Sequence, residues 1–518
     1  MSGTTTVAPA SYRSGIQVGH AGFAQQLRAE WTKFRTVRGW VAGLAAAALL
    51  TVLIGLIGGA HTGRPTCEDP NQPCTGPRGP GGEAVTDRFY FVHRPLTGDG
   101  GITVRMTSLA PDGAKGGLPP WAKGGIVLEA DGRAGSAYAA VMATAGHGVR
   151  MQHNYMHDTA GSPGAVSAAS PQWLRLTRSG DTLTGYRSSD GARWTEIGAV
   201  RLTGLPSQVQ AGLFTASPPA TQSTSQKFGG LSNRGSPTRA TGVFDHVALD
   251  GAESGDATWH GEQMGGPADD FASDGTFHRD GGAFTVTGSG DIAPVVGGPM
   301  TAGGLTIERS LVGTFVGLIL VLVVGATFIT AEYRRGLIRT TLMASPRRGG
   351  ALMAKAVVLG AVTFAAGLPA AAAAVLAGEW LVRPGGFEFP VGTLTELRVV
   401  AGTAALLAVA AVLAMAVGTV LRRSAGAVTL VFAAIVLPYI LATASILPAG
   451  PSQWLLRLTP AAGFAIQQNM PQYAQVDSDY TPAFGYFPLP PWGGFAVLCG
   501  WTAVALGAAV FMMRRRDV

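Results

Sequence analysis

EYRRGLIRTTLMASPRRGGALMAK, residues 332–355, lies between two long apolar runs and decides the fold class. Its basic side chains are Arg334, Arg335, Arg339, Arg347 and Arg348, followed by Lys355. Such charges are costly inside a bilayer, and cytoplasmic loops carry an excess of arginine and lysine. We therefore predict that this segment is a cytoplasmic loop between two membrane-spanning helices.

The composition also indicates a membrane protein. Of the 518 residues, 47% are hydrophobic and only 13% are charged, whereas a soluble domain carries about a quarter charged residues. The net charge of +7 comes largely from residues beside apolar runs. It therefore favours a membrane topology, and we expect no nucleic-acid partner.

Six apolar tracts reach the roughly 20 residues that a spanning helix needs: Trp40–Ala60, Ser310–Thr330, Ala351–Gly378, Leu397–Leu421, Ala425–Leu447 and Gly493–Met513. Pro369 and Pro438 are not expected to prevent two of these spans, because neighbouring helices can satisfy the freed carbonyls. The basic clusters all fall on one side of an alternating six-span path. Both termini of this multi-pass cell-membrane protein are therefore predicted to be cytoplasmic.

The N-terminal segments have distinct characters. Residues 1–22 are predicted to be disordered, and residues 23–60 to form an amphipathic interfacial helix and the first span, TM1. The apolar part is too long for a cleavable signal peptide. Gly55–Gly59 and Gly313–Gly317 are small-xxx-small pairs, a pattern that lets two helices approach closely. The high glycine content of the chain explains their occurrence without such a contact.

Residues 61–82 are predicted to be a linker outside the cytoplasm. Cys67 and Cys74, in CEDPNQPC, are expected to form a small disulfide loop there, and two free thiols are the alternative.

Residues 83–305 carry short runs bounded by Gly, Pro, Asp and Ser, which indicate β-strands. Ser179-Gly180-Asp181 and Asp190-Gly191 are predicted hairpin turns. The fold class is therefore an α-helical polytopic membrane protein with an inserted all-β sandwich or jelly-roll ectodomain. Residues 252–305 either complete the sandwich or form a stalk.

Catalysis by the ectodomain is not expected. A glycosidase needs two carboxylates facing one cleft. The nearest candidates are Glu129 and Asp131 in VLEADG. They have no third acid beside them and are expected to flank a turn rather than to face one cleft. His153 and His157 share a face along one strand but lie too far apart to share a metal ion unless the chain bends, so no metal site is predicted. The candidate sugar-stacking aromatics, for which core packing is the alternative, are Trp121, Tyr155 and Trp173.

The order of an acidic residue, a basic pair, a glycine and a proline in 332–355 resembles the cytoplasmic coupling loop of ABC-2 type exporter permeases. The resemblance implies that a separate ATPase subunit docks on Glu332, Arg334, Arg335, Gly336, Arg339, Leu342, Pro346 and Lys355. Glu332 is expected at the entrance of a short docking helix. The chain has no G-x-x-x-x-G-K-[ST] loop, so it is expected to bind no cofactor, with ATP and Mg²⁺ on the partner subunit.

Two other segments extend this resemblance. RAEWTKFRTVR, residues 28–38, is similar to the N-terminal elbow of ABC-2 permeases. GTVLRRSAGAVTLVFAAIVLPYIL with WLLRLTPAAGFAI resembles the region before the last span of actinobacterial-type members. It implies short re-entrant helices at an outer gate, with Trp454, Leu458, Pro460 and Phe464. An interfacial loop with aromatic anchors is the alternative.

The β region resembles a different family. WLRLTRSGDTLTGYRSSDGARW, VQAGLFTAS and FDHVALDG are similar in order to the concanavalin A-like lectin/glucanase superfamily, over about Glu83 to Gly251. Because the carboxylate pattern argues against catalysis, this domain is expected to bind a cell-wall glycan, to contact an extracytoplasmic protein or to gate the exit.

The sequence thus predicts the permease subunit of a bacterial ATP-driven exporter that moves an amphipathic substrate by alternating access. Residues 306–518 would hold TM2–TM6, and a second permease, identical or different, would complete the pathway in the lipid bilayer. The alternative is a membrane-anchored glycan-binding or sensor protein, for which five spans after the ectodomain are too many.

Overall fold

The computed structural model of this 518-residue chain describes residues 22–60, 77–113, 117–225, 231–251, 258–265, 274–296, 307–337, 348–382, 391–444, 446–476, 480–482 and 485–515. These residues form a helix bundle and a β domain inserted between the second and third helices. The helices are α1 (Phe23–Thr36), α2 (Arg38–Ala60), α3 (Ile307–Ser310), α4 (Thr314–Arg334), α5 (Arg348–Val382), α6 (Thr393–Leu421), α7 (Ser424–Thr443), α8 (Ala449–Leu458), a 3-10 helix (Pro460–Gln467) and α9 (Pro491–Arg515).

Six of the described helices, α2, α4, α5, α6, α7 and α9, are long and apolar enough to cross a membrane. Each corresponds to one tract predicted from the sequence, so that prediction is confirmed. Pro369 and Pro438 lie inside α5 and α7, and both helices continue through them. The tertiary contacts of the bundle therefore accommodate the hydrogen bonds that the two prolines remove.

Close backbone approach joins α2 to α3 and to the start of α4. The attribution of Gly55 and Gly313 to the high glycine content of the chain is therefore wrong. A Cβ atom at Gly55 would collide with the Ser310 carbonyl, and one at Gly313 would collide with the Thr51 carbonyl. Small residues let membrane helices approach at backbone distance. The last helix before the inserted domain, α2, therefore packs directly against α3 and the start of α4, which follow that domain.

The β domain contains the following strands: β1 (Val85–Asp87), β2 (Tyr90–Thr97), β3 (Gly100–Pro111), β4 (Lys123–Glu129), β5 (Tyr138–Thr144), β6 (Gly148–His153), β7 (His157–Ser162), β8 (Gln172–Ser179), β9 (Thr182–Ser188), β10 (Thr195–Arg201), β11 (Gln208–Ala216), β12 (Ala220–Ser225), β13 (Leu231–Ser236), β14 (Ala240–Gly251), β15 (His260–Gln263), β16 (Thr276–Asp280), β17 (Ala283–Gly288) and β18 (Ile292–Pro294).

Two seven-stranded antiparallel sheets face each other, in the orders β10-β9-β8-β3-β14-β17-β16 and β15-β2-β11-β4-β5-β6-β7. Alternate residues of both sheets point into one apolar core, including Val104, Leu176 and Phe244 from the first and Ile126 and Leu213 from the second. This alternation is the burial pattern of a β-sandwich. The sandwich region predicted from the sequence is confirmed, and the jelly-roll and concanavalin A-like assignments stay predictions.

Strands from the end of the insertion answer the question that the sequence left open. β15 pairs with β2 in one sheet, while β16 and β17 extend the other sheet beside β14. The described residues between 258 and 296 therefore complete the sandwich rather than forming a separate stalk.

A two-stranded connection joins the β domain to the bundle. β1 is the first strand after α2 and β18 is the last strand before α3, and the two pair antiparallel with Asp87 opposite Ile292. We call this pair the neck. Because Val85 and Ile292 pack with Phe91 and Phe214 of the second sheet, the neck is attached to the body of the sandwich.

Candidate functional site

Four charged side chains form a cluster where α1, α4 and α5 meet. The Lys355 Nζ atom lies 2.6 Å from Glu30 Oε2 and 2.5 Å from Glu332 Oε1. Lys33 donates to Glu30 at 2.8 Å and to Glu332 at 3.3 Å. Glu30, Glu332 and Lys355 are all buried, and the two positive and two negative charges balance. We call these four residues the charge cluster.

Aromatic rings support the charge cluster on its apolar side. Phe34 packs edge-on against Phe328 with ring centroids 5.8 Å apart, and Trp40 approaches Phe328 at 4.9 Å. The Lys355 ammonium lies 5.2 Å from the centroid of the same Phe328 ring, within the range of a cation–π interaction. The elbow helix α1 is therefore fixed to the ends of α4 and α5 by both charge and packing.

The structure places the described coupling-loop residues in two groups. Arg334, Arg335 and Gly336 are exposed after α4, and Gly336 has a φ of +67°, a conformation that glycine adopts without strain. Glu332 and Lys355 are buried in the charge cluster instead. The predicted residues Arg339, Leu342 and Pro346 lie outside the described residues.

The expectation for Glu332 is wrong in one respect. It lies in the last turn of α4 rather than at the entrance of a docking helix, so it does not complement the positive end of that helix. Its carboxylate balances Lys355 and Lys33. The sequence identifies Glu332 as a candidate site residue, but it does not reveal that this carboxylate pairs with Lys33 and Lys355.

Sequence reasoning missed Glu30 and Lys33. Both lie in α1, and Glu30 is 325 residues away from its partner Lys355. One signal was present: a carboxylate on the helix face that carries Phe34 of the apolar stripe needs a buried cation. Glu30 belongs to the charge cluster as fully as Glu332 does, because each carboxylate pairs with both Lys33 and Lys355.

The four gate candidates separate into two environments. Trp454 and Leu458 lie on α8 and are 59% and 62% exposed. Pro460 and Phe464 lie in the 3-10 helix and are buried, and the Phe464 ring stacks on Phe315 at 4.8 Å. Two short helical segments therefore precede α9, and their role at an outer gate stays a prediction.

The candidate sugar-stacking aromatics are mostly packed against protein. Trp121 is 4% exposed and stacks on His147, and Tyr155 is 1% exposed. Trp173 is partly exposed, with the Arg105 guanidinium 5.8 Å from its ring centroid. Core packing, the alternative considered for these rings, describes Trp121 and Tyr155, which present no open ring face to a sugar.

The placement of the histidines differs from the sequence expectation. His153 and His157 lie on β6 and β7, and they face each other across a tight turn with ring centroids 4.4 Å apart. Asn154 and Tyr155 form this turn with positive φ, which no glycine signalled. Among the described residues, no group of three metal-ligating side chains is present.

Buried charges hold the neck to the sandwich. Lys123 of β4 is fully buried, and its Nζ lies 2.6 Å from Asp291 Oδ1 and donates to the Ile292 carbonyl at 3.1 Å. Asp87 of β1 accepts hydrogen bonds from the Tyr155 hydroxyl at 2.7 Å and from the Gly135 amide at 2.8 Å. The neck therefore moves with the sandwich as one piece.

The acidic groups near the neck predict a pH dependence of stability. Burial raises the pKa of Asp87 from 3.8 to about 6, and the two hydrogen bonds oppose that shift. Burial, followed by the charge of Asp87, also raises the pKa of Glu129. The folded domain therefore binds more protons than the unfolded chain above pH 4, so its free energy of unfolding falls as pH rises through this window.

We expect Asp87→Asn to remove the part of this fall that lies between pH 4 and 6, which is at most about 3 kcal/mol for a shift of this size. The amide oxygen of asparagine can still accept both hydrogen bonds. The measurement is hydrogen-exchange protection of the β4–β6 amides in the full-length protein as a function of pH. Asp280→Asn, at an exposed carboxylate of the same domain, is the control. Equal pH slopes in Asp87→Asn and the unsubstituted protein would contradict the assignment.

Cys67 and Cys74 lie outside the described residues, and so do residues 338–347 of the 332–355 segment.

Comparisons with known proteins identify one family. The model of a family described as ABC-2 family transporter protein matches residues 152–518, which include every helix from α3 onward and the β domain from β6. No curated protein matches the chain.

Some solved structures are similar to part of the chain. SCP-B, a member of the Eqolisin family of peptidases, and scytalido-glutamic peptidase are each 8% identical, with TM-scores of 0.23 and 0.24, covering 40% of this chain and 100% of theirs. A functionally unknown protein from Saccharomyces cerevisiae is 14% identical, with a TM-score of 0.19, over 32% of this chain and 75% of that one. These scores are too low to support an inference about fold or activity.

Proposed function

Because the chain belongs to the ABC-2 family of transporter proteins, we propose that it is the permease subunit of an exporter driven by a separate ATPase. The six long apolar helices make it a multi-pass membrane protein. ATP binds and is hydrolysed on the partner subunit, and this chain provides the path. A second permease, identical or different, faces it across that path.

The proposed topology places both termini and the 332–355 loop in the cytoplasm, with the β domain outside. The exposed Arg334 and Arg335 follow α4, and Arg514 and Arg515 end α9. Arg348, at the start of α5, donates to the Met513 carbonyl near the end of α9 at 2.7 Å. These cations gather at one end of the bundle, and cytoplasmic ends of membrane helices carry such an excess.

The charge cluster is the observation that carries the mechanism. Glu332 and Lys355 close the two ends of the coupling loop on each other, and Glu30 adds the elbow helix to the same contact. A movement of the loop therefore displaces α1, α4 and α5 together. This rigid connection is what a rocking motion between inward-open and outward-open states requires.

The cargo is proposed to be amphipathic. The central helices α4 and α6 bury mostly Ala, Val, Leu and Gly, which offers little to a free ion or a highly polar solute. The gate lies at α8 and the 3-10 helix, where Phe464, Phe315 and Tyr439 form a compact aromatic group.

We expect the double substitution Arg334→Glu and Arg335→Glu to release the ATPase. Both guanidinium groups are exposed beside the loop, and reversing charges at an interface costs several kcal/mol through repulsion. The tagged full-length protein is purified from its native membranes, and the ATPase that co-purifies is quantified by mass spectrometry. Retention should fall by at least about tenfold, which corresponds to roughly 1.4 kcal/mol.

Arg514→Glu with Arg515→Glu is the matched control, since these arginines are also exposed at the same end of the bundle. It should retain the ATPase. If no ATPase co-purifies with the unsubstituted chain, the proposed function fails. If the ATPase stays bound after the Arg334 and Arg335 reversals, the docking assignment fails.

A membrane-anchored glycan-binding or sensor protein was the alternative. The family match extends through all five long helices after the β domain. A sensor needs only an anchor, so this alternative is not favoured.

A further inference from the structure

A cavity of about 500 Å³ lies between the β domain and the helix bundle. One wall is the segment that leads into the neck, from Arg78 to Ala84, together with Val295 after β18. The opposite wall is the start of α6, from Val391 to Thr395, and the segment 469–473 that follows the 3-10 helix. Its volume falls within the range of about 300–1,000 Å³ that small-molecule sites occupy.

Direct contacts hold the two walls together. The Gln475 side-chain amide donates to the main-chain carbonyls of Tyr155 and Met156 at 3.4 and 3.3 Å. Gln475 belongs to the segment between the 3-10 helix and α9 and is 6% exposed. Tyr155 also reaches the neck through Asp87. The cavity is therefore enclosed by parts that are fixed to one another.

The polar groups of the cavity carry opposite charges. Arg78 and Glu83 flank one tight turn, and among the described contacts no ion pair joins them. The cavity thus offers a cation for an anionic group and a carboxylate for a cationic one.

The remaining lining is apolar and adaptable. Met156 and Met470 approach from opposite walls, and Val295, Val391 and Pro471 lie between them. Methionine side chains adjust to irregular apolar shapes. A ligand with a small charged head and an alkyl portion satisfies both parts of this lining.

We propose that this cavity binds an amphiphile with a zwitterionic head, its anionic part at Arg78 and its cationic part at Glu83. The inference rests on the proposed function in one respect: it makes the cavity a holding site for cargo on the outer side of the gate. The segment 469–473 directly follows the gate helix Pro460–Gln467, so a molecule leaving the gate meets this cavity next.

The test is photolabelling of the full-length protein in lipid nanodiscs, without ATP or an ATPase. The probe is a diazirine-bearing alkylphosphocholine, compared with an alkyl sulfate and an alkyltrimethylammonium of the same chain length. Adducts are mapped by mass spectrometry. We expect the zwitterionic probe to label residues 78–84, 391–395 and 469–473 more strongly than the other two.

Gly392→Trp is the occluding variant. Gly392 lines the cavity, has an ordinary backbone conformation (φ −61°, ψ 139°) and has open space at its Cβ position. The indole should reduce labelling by about tenfold, which corresponds to about 1.4 kcal/mol, because it fills the space that the probe needs. Gly450→Trp on α8, also with open space, is the matched control and should label normally.

Charge variants test the head group. Glu83→Gln should remove the preference over the anionic probe, and Arg78→Gln should remove the preference over the cationic one. Equal labelling by all three probes, or labelling that survives Gly392→Trp, would overturn the proposal. Because labelling needs no ATPase, a labelled chain that co-purifies no ATPase would refute the proposed function while keeping the site.

Discussion

Replacing Lys355 by methionine should destabilise the protein by about 3–5 kcal/mol, because removing one partner from a buried ion cluster leaves uncompensated charge. Glu30 and Glu332 would keep their buried carboxylates, with only the partly exposed Lys33 to balance them. Methionine keeps the length of the side chain, so packing changes little. The measurement is thermal unfolding of the full-length protein in detergent, together with transport in vesicles containing the ATPase.

A neutral triple variant separates stability from coupling. Glu30→Gln, Glu332→Gln and Lys355→Met together leave only the partly exposed Lys33 charged in the cluster, and such replacements of buried ion clusters are often neutral for stability. We expect this variant to unfold near the temperature of the unsubstituted protein and still to transport poorly. Arg35→Met, an exposed cation on the same helix α1, is the control. A Lys355→Met protein as stable as the unsubstituted one would contradict the structure of the cluster.

Replacing Lys123 by methionine should detach the neck from the sandwich. The substitution removes the ammonium that pairs with Asp291, and it leaves the Ile292 carbonyl without its lysine donor. The expected cost is again about 3–5 kcal/mol, which corresponds to a local opening more frequent by about 100-fold or more. Hydrogen exchange of the β1 and β18 amides in the full-length protein measures it.

Two variants decide whether charge is responsible. Lys123→Met combined with Asp291→Asn leaves no buried charge and should recover most of the lost protection. Arg133→Met, at an exposed position of the same domain, should leave exchange unchanged. Slow exchange of the neck in Lys123→Met alone would show that apolar packing of Val85 and Ile292 holds the neck without the lysine.

The helical half of the fold could be predicted because a helix that crosses a bilayer needs a minimum length and an apolar composition. Both properties can be recognised in a single sequence. All six tracts became helices, and even Pro369 and Pro438 did not mislead. Hairpin turns with glycine, such as Gly180 between β8 and β9, were also visible because glycine accepts positive φ without strain. These signals are local.

The rest depends on contacts between residues far apart in the chain. Glu30 looked like one charge on a basic amphipathic helix, since its partner Lys355 lies 325 positions later. The turn at Asn154 and Tyr155 carries no glycine. The sequence therefore predicts one strand across β6 and β7, which places His153 and His157 too far apart to share a metal ion. Gly313 resembled a product of composition until the carbonyl of Thr51 defined its role.

The neck also explains how the helix bundle tolerates so large an inserted domain. Because β1 and β18 run side by side, the chain enters and leaves the β domain at almost one point, as it would in a short hairpin. Adjacent termini allow a domain to be inserted with little change in its host. The insertion therefore leaves the close packing of α2 on α4 undisturbed, and evolution could enlarge, exchange or delete the inserted domain without redesigning the transport machinery beneath it.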